Sequence, residues 1–397
     1  MRLIAPISEK KEFKFDFFLF ALLAILAVCS IVAIYCALPL VPLSRVTGLL
    51  EKQVIWFILG FITIGILLYI GIERFVTVVN FIYVILLIML LMLILDRYSI
   101  IDFPFITSVQ GAYCWFQIPG IGTFQPSEFM KVILIFMTAQ VIDNHNKTKL
   151  DNSYLTDIKL FLKVFAYVLP PLILITLQPD TGIPIIIVVS ILVMLACSGI
   201  RRAWVILGVA GVLIGLFGVV YLFKYHPNIL AKLLGAPYKL NRFYGWLETE
   251  KFISSYGDQL YKALLAIGSA GLSGHDLRSA LVYFAEPQND FIFAVIGQNF
   301  GYLGTGFIVL LCTVLDLKLL AITIKSTNNR YRYIMMGVLG MLLFQQFQNM
   351  GMITGLLPIT GITLPFISSG GSSLISYMIP IAIAFQMSSD TKVKKKY

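Results

Sequence analysis

Apolar residues in this chain come in long runs separated by short polar stretches. A helix needs about 20 such residues to cross a hydrocarbon core roughly 30 Å thick, and the runs reach that length. A transmembrane β-barrel would instead alternate over segments of about 10 residues. The pattern predicts about ten spanning helices, near residues 17–40, 53–71, 75–95, 126–143, 159–178, 181–199, 203–223, 290–316, 333–355 and 367–388. The expected fold class is an all-α polytopic membrane protein with about ten transmembrane helices. Residues 1–397 form a single integral membrane domain, with a large extracytoplasmic loop at 224–289 between helices 7 and 8. The first run, Phe17 to Leu40, is too long for a signal-peptide core and reads as a retained span.

Composition agrees with this pattern. Of 397 residues, 59% are hydrophobic and only 13% charged, against about 25% charged in ordinary soluble domains. The net charge of +10 is no signal for nucleic acid, because cytoplasmic loops of membrane proteins are enriched in Lys and Arg. With the N-terminus cytoplasmic, Lys10, Lys11, Lys14, Lys147, Lys149, Arg201, Arg202, Lys325, Arg330 and Arg332 all fall inside. So does the basic tail of Lys392, Lys394, Lys395 and Lys396, which suits anionic membrane lipid. The long loop departs from this bias, carrying Lys224, Lys232, Lys239, Arg242, Lys251, Lys262 and Arg278. Its cations read equally well as balanced by Glu248, Glu250, Asp258, Asp276 and Glu286, or as awaiting an anionic substrate. Within it, Gln259 to Ala270 suits a short surface helix ending at Gly271. The segment 96–125 carries Trp115 and Phe116, aromatics of the kind that mark a membrane interface. The five cysteines and three histidines show no metal-ligand spacing.

Ionisable groups in or at the edge of a span are expensive and tend to be functional. Gln125-Pro126-Ser127-Glu128-Phe129-Met130-Lys131 opens the fourth span, with Pro126 and Glu128 suited to a helix start. Glu128 and Lys131 share one face and can pair. Capping accounts for Glu128, whereas a cation about a turn into a span asks for a function. Gln178-Pro179-Asp180-Thr181-Gly182 has turn chemistry, so Asp180 is a candidate on even terms with a purely local role.

Glu286-Pro287-Gln288-Asn289-Asp290 runs straight into an apolar stretch. Asp290 would serve as a helix cap, yet apolar neighbours also raise a carboxyl toward the range of a general base. Gln348-Asn349-Met350-Gly351 and the stretch Gly361 to Ser373 bracket another turn. There Ser369 to Ser373 reads either as an anion-binding nest or as a tight helix-packing site. On the assumed orientation all these motifs gather at the outer face. A transporter would place its polar groups near mid-membrane, and a scaffold would leave Lys131 unexplained.

Taken together the motifs resemble the RodA/FtsW/SpoVE family of peptidoglycan polymerases. They are Gly111-Ala112 with Trp115, Gln125 to Glu128 with Lys131, and Gln178-Pro179-Asp180 with Gly182. Ala266 to Ser269 with Gly271, Glu286 with Asp290 to Phe293, and Gly361 to Ser373 follow in the family's order. The resemblance implies an inverting glycosyltransferase that polymerises lipid II, a disaccharide-peptide on undecaprenyl pyrophosphate, in cell elongation and shape or in division. Asp290 matches the family's catalytic aspartate, the proposed general base. The substrate-binding candidates are Glu128, Lys131, Trp115, Asp180, Arg242, Gln259, Glu286 and Ser369, with Lys131 and Arg242 set against the leaving charge. A class B penicillin-binding protein is the implied partner. No cofactor is required by the residues, with a divalent cation (Mg or Mn) the one candidate. The implied location is the bacterial cytoplasmic membrane, both termini cytoplasmic and the active face outside. A lipid II flippase is the alternative. The chain departs from the family at Cys114, where a cation commonly precedes the tryptophan, and at Gln298-Asn299, which replace an acidic pair. Gln288 stands for a frequent His and Ser369 for a frequent Tyr. The segment Gly111 to Lys131 is the more RodA-like part.

Overall fold

The computed structural model describes residues 13–109, 111–118, 122–149, 151–234 and 237–394. Lys10, Lys11, Lys395 and Lys396 lie outside them. The chain begins with α1 (Phe17–Ala37), whose first turn is closed by Asp16 accepting the Leu19 N–H. A one-turn helix α2 (Leu43–Val46) leads through Gly48 into α3 (Leu49–Ile70). Gly71, at φ +93°, turns the chain directly into α4 (Ile72–Arg97). Next come three strands, β1 (Ile106–Val109), β2 (Ala112–Ile118) and β3 (Gly122–Phe124). Helices α5 (Pro126–Thr148), α6 (Tyr154–Leu177), α7 (Gly182–Ala196) and α8 (Arg202–Tyr225) follow. The loop region holds α9 (Pro227–Leu234), α10 (Pro237–Leu247) and α11 (Asp258–Ser269). The chain ends in α12 (Ile292–Lys325), α13 (Asn329–Ile353) and α14 (Gly371–Lys394).

Each predicted span coincides with a helix, so the polytopic helical class holds. Among the described residues, seven spans are long and apolar enough to cross a membrane by themselves, the second of them joining α2 to α3. The other three predicted spans are α5, α7 and α13. Helix α7 is a shorter apolar helix of 15 residues, while α5 and α13 carry buried polar side chains that dilute their hydropathy. Those two helices pack against each other and sit among α4, α7, α12 and α14, so little of their surface needs to satisfy lipid.

Beside the helices stands one small sheet of three short strands. They pair antiparallel in the order β1-β2-β3, over a segment read from sequence only as a loop with interfacial aromatics. Its β-branched and aromatic residues suit a pleated, half-buried surface. Cys114 and Phe116 are buried, which turns Trp115 between them to the opposite face of β2.

The surface helix expected over 259–270 is α11, and Gly271 follows it at φ +59°. Helix α12 is kinked at Gly301, which adopts φ 61°, ψ −152°, a region essentially reserved for glycine. A Cβ there would lie 2.5–2.6 Å from the backbone of Gly274, Gly271 and Leu272. The N–H groups freed at the kink are not lost: Tyr302 donates to the Gly271 carbonyl and Leu303 to that of Leu272, both at 3.1 Å. In this way the chain after α11 is fastened to α12. Gln298 and Asn299, the neutral pair, complete the fastening through Ser279 and Val282.

At the opposite end of the bundle, α1, α12 and α14 meet around Asp16, held by Lys318 at 2.8 Å, by the Ser388 hydroxyl and by Lys392 at 3.6 Å. Burial pushes the Asp16 carboxyl up, but Lys318, the Ser388 hydroxyl and the Leu19 N–H hold it down at about 2. Beside α13, Asp143 takes Lys147 at 2.7 Å and Arg330 at 3.4 Å.

Candidate functional site

Two polar clusters lie at the end of the bundle formed by the starts of α5, α7, α12 and α14. The first centres on Lys131, one turn into α5 and 1% exposed. Its Nζ stands 2.5 Å from Glu128 Oε2, donates to the Tyr377 hydroxyl at 3.2 Å and lies 4.4 Å from that ring's centre. Gln345 on α13 donates to the same hydroxyl at 2.9 Å. Two of the three ammonium hydrogens thus have partners, and the pair expected from helical spacing is joined by a tyrosine and a glutamine that sequence reading missed. Asp180 lies close by. Its Oδ1 accepts the N–H groups of Gly182 and Ile183 at 3.1 and 3.2 Å, capping α7, and its Oδ2 accepts from Gln125 at 3.2 Å. Burial lifts its carboxyl to about 6, with Glu128 adding to the rise and the two N–H groups and Lys131 opposing it. Asp180 thus caps α7 locally and stands beside the Glu128–Lys131 pair.

The second cluster is built on the turn 286–290, just ahead of α12. Asp290 is half-buried and lies two residues before the span begins. Burial raises its carboxyl to about 7; its own backbone N–H opposes this, Glu286 adds to it and Arg242 of α10 opposes it again. Glu286 adopts φ +50°, and its Oε2 accepts from Gln288 at 3.0 Å and Asn289 at 2.9 Å. Asn349 of α13 donates to the Asp290 carbonyl at 2.8 Å and to that of Ile362 at 2.7 Å. Gln259 of α11 accepts the Ala285 N–H at 3.1 Å, so it grips the chain leading into the turn.

The segment between α13 and α14 ties the two clusters together. Gly361, at φ +75°, lies beside Asp290 Oδ2, and Ile362 packs on Gly182, two residues past Asp180. Phe366 sits 5.4 Å from the Tyr377 ring that Lys131 faces. Ser368 donates to the Asn289 carbonyl at 2.6 Å, the Ser369 N–H to that of Gln288 at 2.8 Å, and Ser372 accepts from Gln125 N at 3.1 Å. Gly370 N–H turns to Gln53 at 3.4 Å, and a Cβ on Gly371 would meet Trp56 at 2.3 Å, so this stretch packs closely on α3.

The other candidates fall around this core. Arg242 is exposed and close enough for Asp290 to feel its charge. Trp115 stands in β2 opposite Thr107, on the face away from Cys114 and Phe116. Lys251 pairs with Glu248 and Lys262 with Asp258, so these two loop cations have partners of their own. Among the described residues no three His, Cys, Asp or Glu side chains converge as a metal site. The five cysteines are free thiols.

A bundle of apolar helices that surrounds a buried ion pair and, at the same end, a half-buried carboxyl defines a polytopic membrane protein. The chain belongs to the FtsW/RodA/SpoVE family of cell cycle proteins, which it matches over residues 14–393. It is 33% identical over 306 residues to the "Probable peptidoglycan glycosyltransferase FtsW" of Lactococcus lactis subsp. lactis (strain IL1403), covering 73% of this chain and 72% of that one. It is 34% identical over 276 residues to the stage V sporulation protein E of Bacillus subtilis (strain 168), covering 68% and 70% of the two chains. The peptidoglycan glycosyltransferase MrdB of Escherichia coli (strain K12) is 30% identical over 293 residues, covering 72% and 74%. In fold, the chain matches one from a peptidoglycan synthase complex with a TM-score of 0.74 at 23% identity, covering 95% and 98% of the two chains. Thermus thermophilus RodA gives 0.63 at 23% identity, covering 96% and 98%.

Proposed function

We propose that this chain is a peptidoglycan glycosyltransferase that polymerises lipid II, with Asp290 as general base. The observation that supports the reading is the half-buried Asp290 carboxyl beside Gly361, lifted by burial to about 7, in a chain of this family. A base poised near the working pH takes up a proton while still being ionised often enough to act. Asp290 removes the proton from the 4-hydroxyl of the acceptor GlcNAc. The freed oxygen bonds to C1 of the donor MurNAc as the bond from C1 to the lipid pyrophosphate breaks, inverting the carbon. Arg242 and Lys131 offset the charge that gathers on the leaving group. Lys131 does so from a buried position shared with Glu128 and Tyr377, and Arg242 from the exposed side.

The reactive end faces the outside of the cytoplasmic membrane, and residues 224–289 form the extracytoplasmic loop. The cations Lys14, Lys147, Arg201, Lys318, Arg330 and Lys392 stand at the other end, as the positive-inside bias requires of a cytoplasmic face. A class B penicillin-binding protein is the proposed partner, and the Gly111 to Lys131 segment favours an elongation role.

The test is direct: the purified chain in vesicles is given labelled lipid II, alone and with a class B penicillin-binding protein. Glycan polymer is the expected product. Transbilayer movement of intact lipid II without polymer would support the flippase reading instead.

A further inference from the structure

We propose that Arg45 is a positioning residue for the reaction, acting on Asp290 through Glu286 by clasping the turn that precedes α12. This rests on the reading of Asp290 as the base. Arg45 belongs to α2, the one-turn helix between α1 and α3, far from the turn in sequence. Its Nη1 stands 2.7 Å from Glu286 Oε1. The second oxygen of the same carboxylate accepts from Gln288 and Asn289, while the Asn289 N–H donates to the Glu286 carbonyl at 3.0 Å. Glu286 is therefore the hub of a turn whose backbone is strained at φ +50°. Strain of this kind persists where surrounding contacts over-determine it. Asn349 and Ser368 hold the turn from the core side through neutral groups, and Arg45 holds it from the other side with a charge.

The charge matters more than the contact. An ion pair between half-exposed side chains adds little to stability. Asp290, however, is influenced by Glu286, which favours the protonated acid, and by Arg242, which favours the base. The remaining groups on the turn are the amides Gln288 and Asn289, with Asn349 and the hydroxyl of Ser368 beyond them. By neutralising Glu286, Arg45 weakens the influence that would keep Asp290 protonated. The pair thus acts as a charge compensator, letting Glu286 shape the turn without silencing the base.

The experiment is the pH–rate profile of polymerisation by the full chain with lipid II. The wild type should show an acid limb near 7 that Asp290→Asn abolishes. Arg45→Ala should move that limb to higher pH by about half to one unit, equivalent to roughly a three- to tenfold loss on the limb, with rate recovered at alkaline pH. Glu286→Gln should move it the opposite way, and Arg45→Lys should restore it. KM should stay near the wild-type value in Arg45→Ala. A wild-type profile with no limb belonging to Asp290 overturns the base reading and this inference with it. A limb that is present but unmoved by both Arg45→Ala and Glu286→Gln overturns the clasp alone. A variant that loses rate equally at every pH, without recovery, shows a merely structural contact and also overturns it.

Discussion

Helices α8 and α5 are of similar length, 24 and 23 residues, and they follow opposite rules. Helix α8 is apolar on every side and none of its apolar window is buried; Ile206, Leu207, Ile214 and Phe217 all stand open. Helix α5 is the more polar of the two, yet sixteen of its residues are buried, among them Glu128, Lys131, Asp143 and His145. In water, burial selects apolar residues. In a bilayer the lipid does that selecting, and polar groups survive only where protein surrounds them and supplies partners. Helix α13 obeys the same logic as α5, burying Gln345, Gln346, Gln348 and Asn349 against the clusters, with Gln346 reaching the buried Asp316 of α12 at 3.4 Å. Polarity together with burial is thus the mark of the helices enclosed by the rest of the bundle, and uniform hydrophobicity marks its exposed wall.

Substitutions can break or sharpen this contrast. The largest effect is expected from Lys131→Met, which leaves Glu128 buried without its cation; removing one partner of such a pair costs about 3–5 kcal/mol. The thermal midpoint of the solubilised protein should fall. Adding Glu128→Gln should return much of that stability but not the polymerising activity, which separates folding from function. On α8 the reverse change is informative. Ile214→Lys puts a charge against lipid near the middle of the helix and should cost roughly 2.5–3.5 kcal/mol of insertion, read as a lower membrane-integrated fraction. Gly301→Ala comes next, since it forces a side chain into a glycine-only conformation against the backbone of 271–274; strain of about 1–3 kcal/mol should appear as lost protection of the loop after α11 in hydrogen exchange. The smallest change is expected from Ile214→Leu, within about 0.5 kcal/mol in thermal shift and neutral in activity.

Much of this contrast is legible in the chain itself. Run length locates a helix at each of the ten predicted spans, and the cost of a cation inside a span is enough to single out Lys131. The Glu128–Lys131 pairing follows from helical spacing alone. Tyr377 and Gln345 do not announce themselves, because nothing in the sequence distinguishes a tyrosine aimed at a buried ammonium from one packed on lipid. The strands over 106–124 are hidden by their shortness and by glycines and prolines that read as loop. Asn349 sits in a motif that stands out, yet its task of holding both the Asp290 and Ile362 carbonyls depends on where a distant segment returns. Arg45 is the clearest case of what sequence conceals. It is a single cation in a short connection, and only the fold brings it to Glu286, 241 positions away.

The proposed role of Asp290 as base predicts a particular pair of pH profiles. Polymer formed from purified lipid II is measured across pH for the wild type and Asp290→Asn, with folding verified by an unchanged thermal midpoint. The wild-type rate should be low at acid pH and climb to a plateau above about 7, because only the ionised carboxylate accepts the proton. Asp290→Asn should be slower by about 10²–10⁴-fold across that range and should lose the acid limb. A folded Asp290→Asn that polymerises at near wild-type rate, or that keeps the same limb, would contradict the account.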